Sequence, residues 1–155
     1  MREQSVVVGV DGSPGAQAAL QFALDEAERR GVPLRVVSAV ALPEFWGTTY
    51  PTYVMPPPPD EIVSGVRSET QRYVDKVVAA CGEPVRQLPV TVEARAGHPG
   101  EVLVDAARNA ELLIVGHRGR GSVRSVLLGS VGLHCVLHAE CPVTIVPPRA
   151  DEVTV

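Results

Sequence analysis

The sequence predicts an α/β domain built on a parallel sheet with helices on both faces. Three observations carry that expectation. Four short apolar runs, Val6–Val10, Leu34–Val40, Leu112–Val115 and Val143–Val146, are rich in β-branched residues and nearly unbroken, the pattern of strands buried on both faces. A fifth run, Leu88 to Arg95, sets Val90, Val92 and Ala94 against Thr91, Glu93 and Arg95, which suits an edge strand with one wet face. Between the strands lie stretches with one-sided helical spacing, so the chain reads as successive βαβ units with right-handed crossovers. A single domain is expected over residues 1–155, with a Pro- and aromatic-rich loop at 41–59 and a tail at 148–155.

Taken in order, Val6–Val10 leads into Asp11-Gly12-Ser13-Pro14. Ser13 is a good N-cap and Pro14 suits the first helical position. Ala16, Leu20, Ala23 and Ala27 then recur on one face of a helix that Gly31 can end. After the strand Leu34–Val40 comes Ala41–Pro59, with Phe45, Trp46, Tyr50, Tyr53 and four consecutive prolines from Pro56. Its proline density excludes helix and central strand. It reads as a surface loop, or as a lid or partner-docking segment, since four aromatics need somewhere to pack. Val66, Tyr73 and Val77 mark the second helix. Val102, Leu103, Ala106 and Ala110 mark the third, opened by Pro99 and Glu101 after Gly97-His98. Leu133 to Leu137 is the apolar part of the fourth.

The bulk numbers exclude several classes. A chain of 155 residues with 45% hydrophobic and 21% charged residues is large enough for a real core. The formal net charge of −4 argues against nucleic-acid binding, which needs a basic face. The longest apolar runs fall far short of the ~18 residues of a membrane span. Met1-Arg-Glu-Gln-Ser-Val6 lacks the apolar core and cleavage site of a secretory leader, and Cys81, Cys135 and Cys141 form no CxxC pair or disulfide framework. A reducing cytoplasm is the expected location.

The most informative segment joins the fourth strand to the last helix, Gly116-His-Arg-Gly-Arg-Gly-Ser-Val-Arg-Ser-Val-Leu-Leu-Gly-Ser-Val131. Glycine-rich turns between strand and helix gather backbone N–H groups that hold an anion. Arg118, Arg120 and Arg124 crowd the same run, so a phosphate cradle, and hence a nucleotide site, is expected. It is not a P-loop, since the only lysine of the chain is Lys76, and no G-x-G-x-x-G stands in the right place. The spacing Gly116-x2-Gly119-x9-Gly129-Ser130 resembles the nucleotide motif of the universal stress protein family, in its ATP-binding, UspA-like branch. Val6-Val-Val-Gly-Val-Asp-Gly-Ser13 looks like that family's first strand, and Cys141-Pro-Val-Thr-Ile-Val146 like its last. The resemblance implies a flavodoxin- or Rossmann-like domain whose five strands run in the order 3-2-1-4-5. The crevice at its switch point then lies between strands one and four, ended by Asp11 and Gly116.

Each candidate residue has a plain structural alternative. Asp11 faces the adenine and ribose side in the resembling family, or simply forms the Asp-Gly turn. Gly9 allows close backbone approach. Val40 supplies backbone polar groups and an apolar wall for the base, or is ordinary core. Gly116 and Gly119 let the backbone approach ribose and phosphate, or are turn glycines. Arg120 and Arg124 are placed to fork onto phosphate oxygens, or are solvated charges. The N–H groups of Gly129, Ser130 and Val131 at a helix start would meet a terminal phosphate. The Ser130 hydroxyl adds a contact or caps the helix.

His134, Cys135, His138 and Cys141 have spacing that can bind zinc, but lack the second distant pair of a structural site; no metal site is expected there. His117 could orient a water on a phosphate, or is a polar loop residue. No general base, nucleophile or carboxylate pair for efficient hydrolysis stands out, so at most weak ATP hydrolysis is expected. The resemblance therefore implies a stress-response regulator or sensor that binds adenine nucleotide: ATP, with or without Mg2+, or cyclic AMP. The rivals are a slow ATPase and a nucleotide-independent scaffold working through the aromatic loop. Val143 and Ile145 lie on a strand expected at a sheet edge, and an apolar edge strand needs cover. Antiparallel pairing with its own copy, giving a homodimer, supplies it.

Overall fold

The computed structural model describes residues 4–42, 57–117 and 128–148. Five parallel strands form one sheet: β1 (Val6–Gly9), β2 (Leu34–Val40), β3 (Val90–Ala96), β4 (Leu112–Gly116) and β5 (Val143–Val146), in the order β3-β2-β1-β4-β5. The three central strands carry the unbroken apolar runs because both of their faces are covered. Val6, Val8, Leu34, Val36, Leu112 and Ile114 pack against α1 (Pro14–Arg30) and α2 (Pro59–Ala79). Their alternates Val7, Val37, Leu113 and Val115 pack against α4 (Pro99–Ala106) and α5 (Ser130–His138).

Local chemistry sets the helix ends. The Ser13 hydroxyl accepts the Ala16 N–H at 3.2 Å and Pro14 occupies the first turn of α1. At the other end Gly31 adopts φ 66°, the left-handed region that glycine enters without a Cβ penalty. Its N–H reaches Glu28 C=O at 3.0 Å, and Val32 N–H reaches Ala27 C=O at 3.1 Å, the paired bonds of a Schellman ending. The second helix starts at Pro59, the last residue of the expected loop, because proline fits a first turn where no intrahelical N–H is needed. A short helix, α3 (Glu83–Arg86), was not expected; four residues are too few for periodicity to reveal, though Pro84 in its first turn is a start signal. The fifth apolar run pairs from Val90, two residues later than its sequence pattern suggests, and continues to Ala96.

The two sheet edges are treated differently. β3 is the polar edge: Val92 is buried, while the Glu93 carboxylate binds Arg35 Nε at 2.9 Å and Arg95 Nη2 at 2.8 Å. Arg67 of α2 donates Nε–H to the outer Val92 carbonyl at 3.2 Å, which covers part of the exposed ladder. At the other edge Val143, Thr144 and Ile145 of β5 are only half-buried. Beside them α5 leaves Leu133, Val136 and Leu137 exposed, at 49%, 51% and 68%.

Candidate functional site

The carboxyl ends of β1 and β4 lie side by side at the point where the chain switches direction across the sheet. Three segments converge there: the β1–α1 turn, the end of β4, and the start of α5. One residue organises the last two. His117 donates its backbone N–H to Val146 C=O at 2.9 Å, extending the β4–β5 ladder, and accepts the Gly129 N–H on its carbonyl at 3.0 Å. The strand end and the helix start are thereby tied together across the intervening glycine-rich segment.

Gly129 is the N-cap of α5, in extended conformation with no side-chain cap. The first bond of the helical ladder is Leu133 N–H to Gly129 C=O at 3.0 Å. The N–H groups of Ser130 and Val131 therefore precede that ladder, at the positive dipole end of the helix. The Gly129 N–H does not join them, because His117 takes it. Ser130 is the first helical residue and exposed, so the cap position belongs to Gly129 and the Ser130 hydroxyl is not the N-cap.

The other candidates have defined roles in the fold. Asp11 is exposed and its Oδ1 accepts the Ser13 N–H at 2.9 Å, an Asx turn that aims the chain into α1. Val40 is 4% exposed and its carbonyl takes the Gly97 N–H at 3.0 Å, so it is core and that carbonyl is engaged within the sheet. A Cβ on Gly9 would meet the Leu103 side chain at 2.6 Å, on the α4 face. A Cβ on Gly116 would meet the Gly15 carbonyl oxygen at 2.8 Å and its carbon at 3.0 Å. Glycine at 116 thus admits the backbone of α1 against the end of β4. Gly119, Arg120 and Arg124, with Arg118, lie outside the described residues, as do Phe45, Trp46, Tyr50 and Tyr53.

The His/Cys group near α5 is a packing feature. His134 sits over Gly100, where a Cβ would come within 2.7 Å of its ring, and its ring lies 4.4 Å from that of His138. Cys135 is fully buried, and burial, with the neighbouring Cys141, pushes its thiol up to about 11. Among the described residues no three His, Cys, Asp or Glu side chains gather as metal ligands, and no helix is long and apolar enough to cross a membrane.

Two features escaped the sequence reading. Leu133, Val136 and Leu137 form an outward apolar stripe at i, i+3, i+4 spacing, and the apolar character of both sides of α5 was the available signal. The other is the state of the His117 side chain, a residue the sequence had singled out: its Nδ1 is shielded from solvent and has no hydrogen-bond partner, which only the fold reveals.

A five-stranded parallel sheet of this order, with its crevice at the β1–β4 switch, defines a flavodoxin-like α/β domain. The chain matches the model of the universal stress protein family over residues 3–147 and belongs to that family. It is 32% identical over 149 residues to Universal stress protein Rv2624c of Mycobacterium tuberculosis, covering 96% of this chain and 50% of that protein. The chain thus spans about half the length of that relative. Among solved structures, a universal stress protein in complex with cAMP superposes with a TM-score of 0.63 at 23% identity, over 96% of this chain and 100% of that one. The universal stress protein from Archaeoglobus fulgidus in complex with dAMP gives 0.59 at 25% identity, over 94% and 99%.

Proposed function

We propose that this chain is a nucleotide-responsive regulator that binds adenine nucleotide in the β1–β4 crevice, with ATP and Mg2+ as the leading ligand and cyclic AMP as the variant. The observation that carries this reading is the start of α5. A glycine-capped helix with N–H groups ahead of its ladder is held against the end of β4, where parallel sheets bind their ligands. The donor set fits a phosphate: backbone N–H groups ahead of the helical ladder, at a positive dipole end. The relatives solved with cAMP and dAMP point to the same ligand class.

In this reading Ser130 and Val131 meet the terminal phosphate, and Gly119, Arg120 and Arg124 complete the cradle from the preceding segment. Asp11 and Gly9 line the nucleoside side, with Val40 behind them as apolar wall and Gly116 shaping the floor. Bound Mg2+ would screen the phosphate charge. In this reading the output is a binding signal in the cytoplasm, with at most weak ATP hydrolysis.

The chain acts as a homodimer in this reading. Val143 and Ile145 of the edge strand β5 are half-buried, and Leu133, Val136 and Leu137 of α5 are exposed, whereas the β3 edge is covered in part by Arg67 and charged by Glu93 and Arg95.

Calorimetric titration with ATP and Mg2+, beside Gly129→Asp, tests the ligand. Aspartate is a strong N-cap and stabilises a helix start, while its carboxylate occupies the anion position. Binding in the micromolar range, about −8 kcal/mol, is expected in the wild type and lost in the variant. No saturable heat with ATP or cyclic AMP, or equal binding by both proteins, would overturn the reading. Competition between ATP and cyclic AMP assigns the ligand.

A further inference from the structure

We infer that His117 is a ligand-contacting residue of the crevice, whose imidazole Nδ1 hydrogen-bonds a phosphate oxygen of the bound nucleotide. The inference rests on the nucleotide-binding reading above and adds to it a side-chain contact from a variable position of the glycine motif.

The placement comes from the sheet. Gly116 directs its missing side chain toward α1, since a Cβ there would meet Gly15. His117 continues the same ladder by its N–H bond to Val146. Alternation along a strand therefore turns His117 to the opposite face, the side on which α5 packs. Its backbone is held at both ends, by Val146 and by Gly129, which fixes the direction in which the side chain leaves the chain. The N-cap of α5 is bonded directly to the His117 carbonyl, which places the His117 backbone beside the helix start that carries the Ser130 and Val131 N–H groups.

The ring nitrogen supplies the second observation. Nδ1 is shielded from solvent and has no hydrogen-bond partner in the folded chain. A buried polar atom left unpaired loses its hydration with nothing in return, and native proteins rarely tolerate it without a use. Ser5 Oγ is also buried without a partner, but it precedes β1 at the amino end of the sheet, away from the crevice. At His117 a phosphate oxygen can accept the Nδ1 proton, while the α5 N–H groups bind the remaining oxygens. A hydrogen bond to an ionised acceptor is among the stronger kinds.

The test uses the full chain, ATP and adenosine as probes, and two variants. His117→Ala removes the donor. His117→Asn places an amide near the position of Nδ1 and keeps one. We expect His117→Ala to weaken ATP about tenfold while leaving adenosine unchanged, and His117→Asn to recover most of that loss. In the wild type, the 15N resonance of the His117 Nδ1 is expected to move with ATP and not with adenosine, a readout that does not depend on any variant folding. ATP binding with an unmoved Nδ1 resonance, or an equal loss for ATP and adenosine, would overturn the role of His117 while leaving the nucleotide site intact. Failure of the wild type to bind ATP would overturn both.

Discussion

Gly116 shows how one position can serve a motif and a fold together. Its Cβ would sit 2.8 Å from the carbonyl oxygen of Gly15, and backbone on backbone cannot yield as a flexible side chain can. Gly116→Ala must push α1 off the end of β4, and the expected cost is about 1–3 kcal/mol of stability, the range for overpacking, measured by urea denaturation. An unchanged midpoint would show that the first turn of α1 yields freely. Gly9 offers a contrast, since its obstacle is the end of the Leu103 side chain, which can turn aside. The glycine spacing around 116 was legible in the sequence, but this use of Gly116 was not: it depends on a helix start 100 residues earlier in the chain. Asp11 is similar, its Asx turn to Ser13 being local and readable and its place at the crevice mouth a product of strand order.

At the scale of elements, α5 and β5 carry the argument for association. α5 buries Gly132 and Cys135 against the sheet while Leu133, Val136 and Leu137 stay exposed, so the helix is apolar on two sides. Beside it lies the edge strand β5, three of whose residues are half-buried. The proposed homodimer would satisfy both features at once, by a second copy across a two-fold axis. Leu137→Glu is expected to convert a dimer to monomer without unfolding, because Leu137 is the most exposed of the three. Ile145→Lys should act in the same direction from the strand. Sedimentation at micromolar concentration reads the outcome. A wild type that sediments only as monomer would refute the dimer, and so would two variants that remain dimeric.

At the scale of the whole molecule, the charged β3 edge couples the sheet to pH. Burial would raise the Glu93 carboxyl, yet hydrogen bonds from Arg35 and Arg95 outweigh it and hold Glu93 below the usual carboxylate range. Arg35 also reaches the Ala106 carbonyl at 3.0 Å, and Arg95 reaches Asp105 at 3.2 Å, so the cluster joins β2, β3 and α4. A carboxyl with a depressed folded value contributes stability above its unfolded value, about 4.3. That contribution falls away as pH drops from there through the lower folded value. Glu93→Gln should therefore cost about 1 kcal/mol near neutrality and nothing once both forms are protonated, so the two acid-unfolding curves converge at low pH. A constant difference across the titration would show that the side chain acts by packing alone.

By itself the sequence determined the alternation of strands and helices, the two-faced burial of the central strands, the caps at Ser13 and Gly31, and the polar face of the fifth run. These are local: period, capping and turn chemistry act within a few residues and leave their mark in composition. The family signature belongs here as well, because the glycine spacing is a contiguous pattern. Only the tertiary structure decided how the fold itself uses the expected site residues. It put Val40 into the core, turned Gly116 toward Gly15, took the Gly129 N–H for His117, and left the His117 imidazole without a partner. Those outcomes follow from the side-by-side placement of β1, β4 and β5, segments about 30 to 140 residues apart in the chain, and such contacts have no periodicity to betray them.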